Sequence, residues 1–208
     1  MMSDTGTEQT EDLGLRWPKE DDKVFVEVHP LRGAWASPAT DERLYRMIKG
    51  FHESGDLLVA ETELNPRRAL DLLYPVIFAY RQSLELRLKY LLMAYAPIAD
   101  EEPDYRSHDL KKLWAKCRRI IVLLEGSARP SDKKVFEAVD ALIAEYDAVD
   151  PGSDAFRFAH DTKGQPIKLA VSTIDLVNLR RVVAGLHNFL ECADLHLHYG
   201  HGIPRCSH

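Results

Sequence analysis

The sequence predicts an all-α protein, a helical bundle of five to seven helices with a small β-hairpin or extended loop near residues 155–171. Apolar side chains recur at helical spacing over most of the chain, and a capping residue followed by proline occurs twice, as is typical of helix starts. Long runs of alternating apolar and polar residues are missing. With 208 residues, of which 45% are hydrophobic, the chain is long enough for one good core.

The helices of the first half are bounded by caps and breakers. A first helix is expected to start at Ser37, which precedes a proline, and to end near Gly55, with a shorter helix over residues 56–64. Asn65, also followed by proline, opens the longest helix, which ends near residue 96. Pro75 lies inside it and is expected to kink it or divide it in two.

Three further helices are expected in the second half. Ser107 and Ser131 begin the first two, and Ser172 with Asp175 resembles a capping box that opens the last, which ends near residue 199. Before the last helix, AFRFAH alternates, TKGQ favours a turn and PIKLAV is extended, which together predict the hairpin or loop.

Composition divides the chain into four regions. We expect a disordered acidic tail over residues 1–22, an arm and helices packing on the bundle over 23–64, the main helical domain over 65–199, and a flexible histidine-containing tail over 200–208. The net charge of −6 does not indicate a general nucleic-acid binder, but residues 105–134 carry nine basic against three acidic side chains. An anionic partner is therefore permitted locally.

Several classes of protein are disfavoured by the sequence. No apolar run is long enough to cross a membrane, and the acidic N-terminus is unlike a signal peptide, so a cytoplasmic protein with no membrane partner is expected. Three dispersed cysteines favour free thiols. The C-terminal histidines lack a recognised zinc spacing, and no phosphate-binding glycine loop occurs, so neither a metal site nor a cofactor is predicted.

A charged row runs along the longest helix, which is apolar around most of its circumference. Arg81, Glu85 and Lys89 are spaced four residues apart, as in an intrahelical ion ladder. The alternative is that the row lines a cleft or a subunit interface. The wide apolar circumference also predicts a homodimer, since a small monomer does not easily cover it.

Three segments in this order resemble a group of uncharacterised bacterial HEPN-like proteins (higher eukaryotes and prokaryotes nucleotide-binding). The segments are YRQSLELRLKYLL, SHDLKKLW and DAFRFAHDTKG, and the resemblance spans about residues 55–199. Phe158 replaces a tyrosine of the group's pattern. The matching positions are Tyr80, Arg81, Leu84, Glu85, Leu86, Leu88, Lys89, His108, Asp109, Leu110, Leu113, Phe156, Arg157, Asp161 and Gly164.

The resemblance implies an all-α bundle, usually dimeric, from a family common in RNA cleavage, toxin–antitoxin and antiviral systems. Its active members carry Arg-x(4–6)-His late in the bundle and cleave RNA without metal. A histidine can move a proton of the ribose or the leaving oxygen, and an arginine can hold the scissile phosphate. Several branches have lost catalysis and bind only nucleotides or partner proteins. For this chain, the resemblance implies an antitoxin or defence protein as the partner to be tested.

Arg180 and His187 are the best match to that motif. They lie on one polar stripe of the last helix with Glu191, whereas Arg181 points away. The pattern also occurs at Arg46 and His52, but the resemblance does not reach there, and about two matches are expected by chance, so that pair is interpreted as coincidental. The alternative is that the stripe is only a structural polar edge.

A second candidate site involves the two shorter motifs. His108, Arg157 and His160 would form a phosphate-binding pocket if the loop packs near the start of the helix that follows Ser107, and Arg157 would pair with Glu85. Arg157 alternates with Phe156 and Phe158, which predicts that its side chain points away from both rings. The alternative for His108 and Asp109 is helix capping. Two functions thus remain open, a metal-independent endoribonuclease and a non-catalytic nucleotide- or protein-binding module.

Overall fold

The computed structural model describes residues 17–27, 29, 40–125, 130–150 and 153–201. The chain divides into two units, Met1–Ala36 and Ser37–His208. In the first unit the described residues form a turn at 19–22 and otherwise lie in irregular, exposed backbone, including residues 24–27 at the start of the expected arm. The disorder predicted for residues 1–16 lies outside the described residues.

The second unit is an all-α fold, as predicted from the sequence. Five α-helices run in the order α1 Thr40–Leu64, α2 Ala69–Tyr95, α3 Leu110–Glu125, α4 Pro130–Val149 and α5 Leu176–His201, with single 3₁₀ turns at Pro66–Arg68 and Pro97–Ala99. Over the described part of the chain, no helix is both long and apolar enough to cross a membrane.

The central element is α2, which packs against α1, α3 and α5. From Val76 to its end at Tyr95, α2 is buried around nearly the whole circumference. The apolar circumference that suggested a homodimer is thus covered by helices of the same chain. The homodimer stays a prediction, and this particular reason for it is removed.

The structure joins α1 into one helix where two were expected. Gly55 was expected to end the first, but α1 continues through it because this position faces α2: a Cβ atom built there would lie 2.4 Å from Tyr80 Cε1. The glycine therefore serves close helix packing rather than termination. α1 lies in the same unit as α2–α5, as is expected of helices that pack on the bundle.

Pro75 neither divides α2 nor ends it. It lies in the second turn and is exposed, and the carbonyl that loses its intrahelical donor belongs to Asp71, in the exposed first turn where water can bind it. The longest helix was expected to start at Asn65. Instead, the residues after Asn65 form the 3₁₀ turn Pro66–Arg68, and α2 starts at Ala69.

Two helix starts differ from the expected caps by a few residues. Asp109 caps α3, since its side chain accepts a hydrogen bond from Lys112 N at 2.9 Å. Asp175 caps α5 in the same way, accepting from Asn178 N at 2.9 Å, so the capping box expected from Ser172 is not formed. α4 begins at Pro130, one residue before Ser131. Ser37 lies outside the described residues.

The segment between α4 and α5 is an extended loop rather than a sheet. In the part that is described, it contains no strand and one isolated antiparallel bridge, between His160 and Pro166. Asp161 accepts hydrogen bonds from Lys163 N and Gln165 N, both at 2.8 Å, and Gly164 has a φ of 75°. The Asp161 and Gly164 of the third motif therefore build a tight turn.

Substitution of two glycines of α1 separates packing from helix propensity. We expect Gly55→Ala to destabilise the fold by about 1–3 kcal/mol, because its Cβ atom would overlap the Tyr80 ring. Gly50→Ala is the matched control on the same helix, since a Cβ atom built there meets nothing within 4 Å. There, alanine should stabilise by about 0.5–1 kcal/mol through helix propensity. Urea unfolding measures both, and equal effects at the two positions would contradict the packing role.

Candidate functional site

A small cleft lies where α1, α2 and α5 meet, with a volume of about 280 Å³. It contains two histidines from different helices, His52 on α1 and His187 on α5, together with Arg87 from α2. The described lining residues are Tyr45, Ile48, Lys49, His52, Glu53, Asp56, Arg87, His187, Asn188 and Glu191. The sequence prediction placed His187 at a site, interpreted the motif match at His52 as coincidental and did not consider Arg87.

The two imidazole rings are in direct contact. The ring centroids of His52 and His187 are 4.2 Å apart, with the ring planes inclined at 45°. His52 lies on the inner face of α1, in the series Ile48, His52, Gly55 and Val59 with spacings of four, three and four residues. The other three members of the series are buried. This helical stripe was a signal in the sequence, and the division of α1 into two predicted helices concealed it.

His187 is held by a hydrogen bond to the central helix. Its Nε2 lies 2.9 Å from Ser83 Oγ, and Ser83 Oγ also lies 2.7 Å from Tyr80 O. Because a carbonyl can only accept, both contacts are hydrogen bonds at the same time only when Ser83 donates its single hydroxyl proton to Tyr80 O. The proton between Ser83 and His187 is then carried by the imidazole, which assigns the Nε2–H tautomer and leaves Nδ1 as the unprotonated nitrogen.

The surroundings of His187 keep its ring neutral. Burial, with smaller effects from the neighbouring His52 and Arg87, lowers the pKa of His187 to about 3. The side chain is 5% exposed, so the positively charged ring would lose most of its hydration. His187 is therefore an uncharged proton acceptor at neutral pH.

The other residues of the polar stripe on α5, and Asp194 next to it, also contact side chains of other helices. Arg180 NH1 lies 2.8 Å from Glu63 Oε2 of α1, and Arg180 does not belong to the described lining of the cleft. Glu191 Oε2 lies 3.8 Å from Arg87 NH2. The buried Asp194 accepts a hydrogen bond from Tyr95 OH at 2.6 Å. The stripe thus faces α1 and α2, and the structure does not bring Arg180 and His187 to one cleft.

The charged row of α2 forms the ladder expected from its spacing and extends beyond it. Glu85 Oε2 lies 3.0 Å from Arg81 NH1, and Glu85 Oε1 lies 2.9 Å from both Lys89 Nζ and His108 Nδ1. Burial acts to raise the pKa of Glu85, but the hydrogen bonds from Lys89 and His108 outweigh it and lower that pKa. Arg81 also donates to His108 O at 2.8 Å and lies 3.2 Å from Asp150.

The structure does not assemble the phosphate pocket expected from His108, Arg157 and His160. His108 joins Glu85, while Arg157 pairs with Asp154 Oδ1 at 2.6 Å, so the expected pair of Arg157 with Glu85 is not formed. Arg157 lies 5.1 Å from the centroid of the Phe158 ring, because residues 155–157 form a turn rather than an alternating strand. His160 is exposed in the loop.

The described residues form no cluster of three or more side chains that could hold a metal ion. The comparisons with known proteins found no matching protein-family model, no matching curated protein and no matching solved structure. The geometry of the cleft is therefore what carries a functional interpretation.

Acid should destabilise the fold through His187. Because its pKa is lowered from 6.5 to about 3, the unfolded chain binds more protons than the native protein between those values. The free energy of unfolding therefore falls as pH decreases through this window, by up to about 1.4 kcal/mol per pH unit. We expect His187→Gln to lose this component of the slope, measured by urea unfolding at pH 7, 6 and 5.

The matched control for that experiment is His196→Gln, because the His196 side chain is 68% exposed on the same helix. This variant should keep the slope of the parent. If His187→Gln unfolds with the same pH dependence as the parent, the ring is not held neutral in the folded protein.

Proposed function

We propose that this chain is a metal-independent endoribonuclease of HEPN type, and that it cleaves RNA at the cleft between α1, α2 and α5. The observation that carries the proposal is the contact of His52 and His187, whose ring centroids are 4.2 Å apart. Cleavage next to a ribose 2′-hydroxyl needs one group that removes a proton and one that supplies a proton. Two imidazoles in one cleft meet that need without a metal.

In the proposed reaction, Nδ1 of the neutral His187 accepts the proton of the 2′-hydroxyl as its oxygen attacks phosphorus. The new P–O2′ bond forms as the P–O5′ bond breaks, and the imidazolium form of His52 donates a proton to the departing 5′ oxygen. Ser83 would hold the His187 ring in the required tautomer through its contact at 2.9 Å. Asp56, at 3.6 Å from His52 Nε2, would orient the second ring.

Arg180 belongs to this proposal by resemblance alone, because its guanidinium pairs with Glu63. The same resemblance adds a homodimer, an antitoxin or defence protein as partner, and a role in a toxin–antitoxin or antiviral system. None of these depends on the contact between the two histidines, and each can fail separately from it.

A non-catalytic nucleotide- or protein-binding module is the second candidate function. The low pKa of His187, about 3, favours it, because a general base works best when its pKa lies near the operating pH. A nucleotide phosphate bound in the cleft would still contact the Arg87 guanidinium and the imidazole rings of His52 and His187.

Substitution of the two histidines tests cleavage directly. We expect His187→Ala and His52→Ala each to reduce the rate of RNA cleavage by about 10²–10⁴-fold, since each removes a proton-transfer group. Arg180→Ala should reduce it less than His187→Ala does. Cleavage of a labelled RNA should persist in EDTA and fail on the corresponding DNA, which lacks the 2′-hydroxyl.

Arg181→Ala is the matched control, because this exposed side chain bonds only to Asn178 of its own helix among the contacts described. Circular dichroism must first show that each variant is folded, and His187→Gln, which keeps a donor towards Ser83, serves if the alanine variant unfolds. A His187 variant that cleaves as fast as the parent would exclude this mechanism. A pure parent without activity would favour the binding module.

A further inference from the structure

Arg87 brings a buried guanidinium to the cleft with too few partners. Its side chain is 7% exposed, and Nε makes no hydrogen bond to any described residue. The nearest carboxylate is Glu191, at 3.8 Å from NH2, which is too long for a hydrogen bond. The guanidinium also lies 6.0 Å from the Tyr90 ring centroid. An arginine so far out of water is normally paired with a carboxylate or another anion.

The three carboxylates of the cleft differ in their partners. Asp56 accepts a hydrogen bond from Tyr80 OH at 2.7 Å, and Glu53 lies 3.7 Å from Lys49 Nζ. Glu191 makes only the long approach to Arg87 among the described contacts, and its side chain is 52% exposed. Glu191 can therefore turn outward into water at little cost.

We propose that Arg87 is the phosphate-binding residue of this cleft and that Glu191 occupies the place of the phosphate until a ligand displaces it. The inference rests on the proposed function in that it assigns the phosphate of the same RNA or nucleotide ligand. A planar guanidinium binds two phosphate oxygens through parallel N–H donors, which would also satisfy the unpartnered Nε.

The size and position of the cleft agree with this ligand class. A volume of about 280 Å³ is at the small end of ligand pockets, enough for a phosphate group with part of a nucleoside. The bound phosphate would lie beside His52 and His187, the two groups that exchange protons with its ester oxygens. Glu191 then acts as an internal competitor that weakens binding of any anion.

The test is titration of the full chain by isothermal calorimetry with three probes: inorganic phosphate, adenosine 5′-monophosphate and a 2′-O-methyl oligoribonucleotide that cannot be cleaved. We expect Arg87→Met to weaken binding of the phosphate probes about 10- to 100-fold, as for the loss of hydrogen bonds to a charged group. Glu191→Gln should tighten it about three- to tenfold, because a like charge leaves the site.

Arg46→Met is the matched control, since Arg46 is an exposed arginine of α1 that pairs with Glu42 outside the cleft lining. It should bind every probe as the parent does. Tight binding of the oligoribonucleotide with weak binding of the monophosphate identifies RNA as the source of the phosphate, and the reverse identifies a free nucleotide. Either result supports Arg87 when its variant loses that binding.

Unchanged binding in folded Arg87→Met would overturn the inference, as would a Glu191→Gln variant that binds no more tightly than the parent. If Arg87→Met does not fold, the phosphate affinity of the Glu191→Gln variant, relative to that of the parent, alone decides whether the inference holds. Failure of the inference is distinguishable from failure of the ribonuclease proposal. If the parent cleaves RNA but its phosphate binding is unchanged in Arg87→Met, only the inference about Arg87 is overturned. If phosphate binding depends on Arg87 but no RNA is cleaved, only the ribonuclease proposal is overturned.

Discussion

The second unit is organised by the need to satisfy polar side chains carried into its centre by α2. Arg81, Ser83, Glu85 and Arg87 are all buried on a helix that is covered from several sides. A buried charge without a partner costs several kcal/mol, so each neighbouring segment must supply one. The start of α3 supplies His108, the residue after α4 supplies Asp150, and α5 supplies His187. The polar contacts therefore specify which helix lies where around α2.

Arg87 is the exception to this pairing, and that exception defines the candidate site. Its side chain lies on the face of α2 that contacts α1 and α5, where the nearest described carboxylate, that of Glu191, is 3.8 Å away. Next to it the chain places two imidazoles, one of them kept neutral by burial. Arg81 Nε and Asp147 Oδ1 are also buried without a hydrogen bond, but both side chains have an oppositely charged partner within 3.4 Å, which Arg87 lacks among the described residues. A buried charge without such a partner is what an anion-binding site requires.

Helix existence was predictable from the sequence because caps, prolines and apolar periodicity are local signals. The continuity of α1 could not be predicted in this way, because glycine locally favours the end of a helix. Its role in packing depends on Tyr80, which lies against Gly55 only in the folded protein. The same limit applies to α5, whose polar stripe was visible in the sequence. Whether it faced water or another helix depended on residues more than a hundred positions away, such as Ser83.

The candidate site shows the same division between local and distant information. His187 was found from a motif on one helix, yet its contacts are with His52 and Ser83 on two others. His52 could have been identified from the stripe of inward-facing residues on α1, whereas no local sequence pattern indicated Arg87. Two matched motif residues, Asp109 and Asp161, cap a helix and build a turn, so their local geometry accounts for them without a ligand.

The protonation state of His187 is the central claim, because both the acid sensitivity of the fold and the direction of proton transfer depend on it. Nitrogen-15 NMR of the imidazole side chains measures it directly. We predict a neutral ring at pH 7 and at pH 5, with Nε2 protonated and Nδ1 unprotonated, in slow exchange with solvent. A His187 ring that titrates near 6.5 with its proton averaged over both nitrogens would contradict the account.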